Sequence, residues 1–239
     1  MVLNFELYRE WFESLRGLIL NDLKSIENKS FIKTKWNHSQ KGGGLMTKIK
    51  GDIIEKGGVN ISTVGGEFSK NMQKRIPGAD KDPKYQATGI SIVIHPKSPL
   101  IPSMHFNTRY IKTSSSWFGG GMDATPSYED LKEKKIIHDE LKKVCVHNKK
   151  NYKKYKKWCD KYFYLPHRNE SRGIGGIFFD YKKNNFEKDF KFVRDVGITF
   201  QLIFNKIIRK KIKKKWTLKD KEMQYIKRGR YTEFNLLYD

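Results

Sequence analysis

Apolar residues at three- and four-residue spacing open the chain: Phe5, Tyr8, Phe12, Leu15, Ile19, Leu23 and Ile26 predict one face of an amphipathic helix over 5–29. From 42 to 123 the texture changes to short β-rich runs broken by Gly and Pro. GDIIEKGGVNISTV, TGISIVIHP and HFNTRYIKT read as strands, with SSSWF a further candidate. Ser127-x-x-Asp130 has the form of a capping box, and helices are expected over 128–147 and 149–163. GIGGIFFDY (173–181) returns to strand. A long or broken helix follows over 185–215, then another over 217–229, and YTEFNLLYD (231–239) reads as a final strand. Neighbouring strands flanked by helices, without strict βαβ alternation, point to an α+β fold. The expectation is one α+β domain over 1–239, built on a large, mostly antiparallel sheet covered by helices.

Composition narrows the class. At 37% hydrophobic and 13% aromatic, 239 residues can bury a core, which excludes wholesale disorder. No apolar run reaches the roughly 18–20 residues that span a bilayer. The N-terminus lacks a secretory pattern, and two cysteines, Cys145 and Cys159, do not make a disulfide scaffold; a cytoplasmic location is expected. The formal charge of +23 comes from 49 Lys+Arg against 26 Asp+Glu. Positions 132–161 hold 12 Lys against 4 acids, and 206–215 hold 7 basic residues and no acid. Lysine is a hydrated point charge, whereas bidentate phosphate and base recognition favours arginine. The excess therefore reads first as a solvated helical face, with no nucleic acid expected as a partner; nucleic-acid binding is the second reading, and an anionic membrane surface or acidic ligands are the remainder.

Three stretches concentrate polar chemistry. In SIVIHPKSPLIPSMHFNTRY, Pro96, Pro99 and Pro102 force an irregular link between two strands, so His95 at the end of one and His105 at the start of the next meet at one sheet end. His105, Asn107 and Arg109 alternate and share a face, which suits an anion or polar ligand better than a core; a solvated edge is the plainer reading. In WFGGGMDATPSYED, three glycines precede Asp123. They serve close backbone approach to a ligand or simply a tight turn; the Lys-Ser/Thr of a phosphate loop is missing. In YFYLPHRNESRGIGGIFFD, His167, Arg168, Glu170 and Arg172 crowd together, either as carboxylate partners or as a surface ion-pair network. The glycines there do not form a dinucleotide fingerprint. Cys145 falls on an amphipathic helix and reads as a small core residue.

These blocks, at 42–67, 89–110, 117–130, 155–180 and 228–239, resemble the oxygen-dependent coproporphyrinogen-III oxidase family almost end to end. The resemblance implies oxidative decarboxylation of two propionates of coproporphyrinogen III to vinyls, giving protoporphyrinogen IX. O₂ would be co-substrate, CO₂ and peroxide by-products, and no organic cofactor would take part. It implies a homodimer, with the antiparallel sheet sandwiched between helices. His105 matches a proton donor. Asp123 matches an acid placed to hold pyrrole N–H groups, and Asp239 an acid at a catalytic Asp-Arg position. Ser91, Asn107, Thr108 and Arg109 fall at substrate-binding positions, with Arg168 and Arg172 as further propionate anchors. His95, His105, His138 and His167 match residues described as divalent-metal ligands. Family members continue beyond the Tyr-Asp ending with Arg-Gly-Thr, a Gly-Gly-Arg substrate contact and a helical region. A second expectation follows: a catalytically impaired fragment, or a tetrapyrrole-binding or subunit-pairing protein.

Overall fold

The structure is a computed structural model describing residues 5–238. Helix α1 (Phe5–Lys24) leads into β1 (Phe31–Asn37), β2 (Lys41–Ile49) and β3 (Ile54–Glu67). A short helix α2 (Lys70–Gln73) precedes β4 (Lys84–Pro96), β5 (Ser103–Lys112) and β6 (Trp117–Thr125). Helices α3 (Leu131–His147) and α4 (Tyr152–Tyr162) follow, then a two-residue ribbon of β7 (Tyr164–Leu165) and β8 (Glu170–Ser171). The chain closes with β9 (Gly175–Lys182), α5 (Phe186–Lys211) and α6 (Leu218–Leu237). The main sheet runs β1-β2-β3-β4-β5-β6-β9 with every pair antiparallel.

Alternation divides the sheet into two chemically different faces. On β4 and β5, Ile90, Ile92, Ile94, Met104, Phe106 and Tyr110 are buried against Tyr8, Phe12, Leu15, Ile19 and Leu23 of α1. Phe192, Val196, Phe200 and Phe204 of α5 complete that core, with Phe106 stacked on Phe200 at 4.9 Å between ring centres. The opposite side chains on the same strands are Ser91, Val93, His105, Asn107 and Arg109. Helix α6 crosses this second face at one end of the strands, tied by Lys221 and Arg228 to Glu55 on β3 and by Gln224 and Arg228 to Pro96 on β4. Helix α4 closes the β9 edge: Tyr155 packs on Phe179 on the core side, while Trp158 and Tyr162 pack on Phe178 on the other. The opposite edge, β1, is exposed and carries Lys33 and Lys35, charges that discourage further strand pairing.

Element boundaries follow from caps. Asp130 itself caps α3 by accepting from the Lys132 and Glu133 N–H groups, so the helix starts later than a Ser127 capping box implied. The expected final strand over 231–239 is corrected: these residues, through Leu237, continue α6. Thr217 and Asp220 form a capping box at its start, Gly229 meets no packing conflict, and no proline interrupts the run. The β-favouring Tyr231, Thr232 and Phe234 yield to this cooperative extension because Phe234 packs on Phe163 and Tyr162 from a helix.

One buried carboxylate ties α1 to the sheet. Glu27, just after the helix, accepts from the Ile53 N–H at 2.7 Å and the Ile54 N–H at 3.0 Å. Glu27→Ala leaves these donors unpaired and is expected to cost about 2–4 kcal/mol, read as a lower urea midpoint with unchanged slope.

Candidate functional site

The second face of the sheet carries a buried chain of polar groups at the end roofed by α6. His95 at the close of β4 and His105 on β5 meet, Nε2 to Nε2, at 3.2 Å. His105 Nδ1 lies 3.4 Å from Asp123 Oδ2 on β6, its directly paired neighbour in the register. The same carboxylate oxygen accepts from Arg172 Nη2 at 2.7 Å. All four side chains are buried. The Arg172 guanidinium lies over the Phe163 ring at 3.8 Å from its centre, with Tyr231 and Phe234 each at 5.0 Å. Tyr231 from α6 stacks on His105 at 4.3 Å with an 8° interplanar angle and meets His95 edge-on.

Charge in this chain is set by burial and its compensation. Burial opposes ionisation of Asp123, but Arg172 and then His105 outweigh it and hold the carboxyl down to about 2. An ionised Asp123 is acceptor-only, so His105 donates to it from Nδ1, and in the Nε2–Nε2 contact one of the two histidines donates and the other accepts. Burial, reinforced by His105, Arg228 and Lys56, pushes His95 down to about 3, so it is neutral near pH 7.

This has a stability consequence. The folded value of His95 lies below the ordinary 6.5, so the unfolded chain binds the extra proton. The stabilisation is complete above about pH 6.5 and is lost as pH falls toward 3, at about 1.4 kcal/mol per pH unit for one proton. Asp123 contributes only below about pH 4, where its unfolded counterpart protonates. His138, lowered chiefly by burial, acts in the same direction as His95. Urea titrations at pH 7 and pH 5 should therefore show a shallower pH dependence for His95→Asn than for the native chain, and equal dependences would refute the assignment.

A cavity of about 300 Å³ opens beside this chain, lined by His105, Asn107, Asp123, Tyr162, Arg172 and Tyr231 among others. Arg172 lines the cavity, while its Nε is buried and has no hydrogen-bond partner among the described residues. A second hollow of about 360 Å³ reaches along the face to Trp36, Met46 and Asn60, and the two share Ser91, Asn107 and Arg109. Arg109 is held at this junction by Asp180 on β9 at 2.7 Å, and Asp180 also accepts from Trp117 Nε1 at 2.9 Å. Gly119 makes room for that pair: a Cβ there would lie 2.2 Å from Asp180 Oδ1 and 3.1 Å from Arg109 Nη2. The triple glycine is thus mid-strand, not a turn.

The other expected site residues are placed as follows. Thr108 points to the helix-covered face and is fully buried, with its Oγ1 unpartnered among the described residues; alternation puts it opposite Asn107 and Arg109. Arg168 lies outside the cavity lining, bound to Glu233 on α6 at 2.5 Å. Arg172 reaches the cavity, but already paired with Asp123. Asp239 lies outside the described residues.

The four histidines do not converge within this chain. His138 has Nε2 on the Ile174 carbonyl at 3.0 Å and accepts the Tyr152 hydroxyl at Nδ1, 2.8 Å away. His167 has both nitrogens engaged, by Tyr238 at 2.7 Å and Glu233 at 2.8 Å. No group of three or more His, Cys, Asp or Glu side chains suited to a metal occurs among the described residues. The donor set expected for a divalent metal therefore does not fit.

The sequence reading missed Asp180, Phe163, Tyr231 and Asn235. Gln224, Arg228, Tyr231 and Asn235 recur at spacings of four, three and four, a helical stripe that becomes visible once 231–237 is read as helix. That stripe fixes the roof: Gln224 Nε2 donates to the Pro96 and Ser98 carbonyls at 3.0 and 3.2 Å, and Arg228 Nη2 donates to Pro96 at 2.6 Å.

The family profile described as coproporphyrinogen III oxidase matches residues 8–239. The chain belongs to this family. It is 50% identical over 248 aligned residues to proteins named oxygen-dependent coproporphyrinogen-III oxidase from Rickettsia akari (strain Hartford), Rickettsia rickettsii (strain Sheila Smith) and Rickettsia bellii (strain OSU 85-389). Each match covers 99% of this chain and 89% of the relative. Cys145 and Cys159 are both buried, and burial pushes the Cys145 thiol up to about 12, as suits core residues of a coproporphyrinogen oxidase fold rather than nucleophiles.

Proposed function

We infer that this chain is an oxygen-dependent coproporphyrinogen-III oxidase, converting two propionates of its substrate to vinyls. The observation that carries this reading is the buried Arg172–Asp123–His105–His95 chain beside a cavity that shares Ser91, Asn107 and Arg109 with a second, largely apolar hollow. The macrocycle is electron-rich, so the protein has to orient it, bind carboxylates and handle protons. Ionised Asp123 accepts pyrrole N–H groups in this reading. The rim guanidinium of Arg109 binds a propionate in this reading, with Arg172 a further anchor at the cavity, and Ser91 and Asn107 supply further polar contacts.

For each propionate, the carboxylate carbon leaves as CO₂ and the β-carbon loses a hydrogen with two electrons to O₂. One further proton makes H₂O₂. We assign delivery of that proton to His105, which lines the cavity: the Nε2 proton passes to the peroxide as its contact with His95 opens, and the Nδ1 proton stays against Asp123. A homodimer in the cytoplasm belongs to the same reading, and sedimentation velocity tests the dimer. Aerobic incubation with coproporphyrinogen III should consume one O₂ per CO₂ released and give protoporphyrin fluorescence after oxidation. Absence of product in air, or equal product under nitrogen, would overturn the assignment.

A further inference from the structure

The corner between α5 and α6 carries chemistry that the cavity does not use. Residues 206–219 contain eight Lys or Arg and no Asp or Glu. Lys206 lies 3.6 Å from Glu140, and Lys211 turns inward to Glu133 at 2.6 Å and Asp130 at 3.2 Å. Lys210, Lys213, Lys214 and Lys215 are exposed and form no ion pair among the described residues. The nearest acids have other partners: Asp220 is engaged by the Thr217 cap, and Asp130 and Glu133 by Lys211.

Exposed apolar groups sit among these lysines. Leu218 is 81% exposed and Trp216 37%; across the Lys211 bridge, Leu131 at the start of α3 is 73% exposed. Tyr128, 42% exposed, hydrogen-bonds Asp220 and extends the same patch. A water-facing corner gains nothing from a bare leucine and a partly exposed tryptophan between unpaired lysines. An interface with charge outside and hydrocarbon beneath accommodates both, since tryptophan favours the headgroup level and lysine stems reach from apolar to polar surroundings.

We propose that the α5–α6 corner is a peripheral docking surface for a phospholipid bilayer bearing anionic headgroups. Lys210, Lys213, Lys214 and Lys215 supply the attraction, while Trp216, Leu218 and Leu131 enter the headgroup–acyl boundary. No helix among the described residues is long and apolar enough to cross a membrane, so the attachment is by surface contact. Nucleic acid fits less well: the corner holds a single arginine, Arg209, and lone lysines do not read bases. Helix α6 runs from this corner to the cavity, Leu218 to Tyr231, about 20 Å at about 1.5 Å per residue.

The test is cosedimentation of the full chain with vesicles of phosphatidylcholine alone and of phosphatidylcholine mixed with phosphatidylglycerol, at physiological salt. Binding should be confined to the mixed vesicles. It should fall at least about tenfold in the Lys213→Glu/Lys214→Glu/Lys215→Glu variant. It should also weaken in Trp216→Ser/Leu218→Ser, whose charge is unchanged, while both variants keep solution turnover. Equal binding to the two vesicle types, or none to either, overturns the proposal. So does native binding by Trp216→Ser/Leu218→Ser, or displacement from mixed vesicles by duplex DNA at equal phosphate.

Discussion

Asp123→Asn is expected to abolish nearly all turnover and to destabilise the fold. The asparagine keeps the shape but removes the anion that compensates Arg172, whose side chain is 3% exposed. Breaking a buried pair by neutralising one partner costs about 3–5 kcal/mol, because the other charge stays buried without an opposite. For a chain of this size that corresponds to a fall of roughly 10 °C in Tm. The catalytic loss has a separate origin. Without the carboxylate, the proton of His105 is no longer directed to Nδ1, and the proposed acceptor for pyrrole N–H groups is gone. A loss of about 10³-fold or more in kcat is expected, measured as porphyrin fluorescence well below the new Tm. Turnover within tenfold of native at that temperature would remove Asp123 from the chemistry while leaving its structural role.

His105→Gln separates the two effects. A glutamine retains hydrogen bonds toward His95 and Asp123 but cannot be protonated near neutrality. Stability should change by only about 1 kcal/mol, whereas kcat should fall about 10²- to 10⁴-fold with a much smaller change in KM. A fall in kcat/KM driven by KM alone would recast His105 as a binding residue.

The sequence carried most of the strand half of the fold, because alternation in β4 and β5 is regular and the prolines at 96, 99 and 102 mark their junction. The same parity placed His105, Asn107 and Arg109 on one face, and the proline link placed His95 beside His105. Taken strictly, it also puts Thr108 on the other face, where the structure has it. The pairing of Asp123 with His105 was harder to read, since it depends on the register between β5 and β6, which the turn at 113–116 sets. Arg172 and Tyr231 arrive from segments 49 and 108 positions further along than Asp123, and local periodicity holds no information about such meetings. In YTEFNLLYD the β propensity of aromatic and branched residues concealed a helix whose stripe becomes evident only in register with Gln224 and Arg228. The charge excess divides in the same manner. The site uses two arginines and two histidines, and no lysine of the lysine-rich helices lines its cavity.

The unequal cover of the sheet should also appear as a gradient in amide exchange. Every residue of β6 is buried, with a paired strand on each side, whereas β1 is exposed along nearly its whole length. Backbone amides of β6 should exchange only through global unfolding, and those of β1 through small, frequent openings. The groove spans this gradient, from the rigid end at Asp123 to the compliant end at Trp36. A large flat ligand would then find one fixed end, where its reacting group is positioned, and one yielding end. Slowed exchange on ligand addition should be greatest at Trp36 and Met46, far from the reacting atoms.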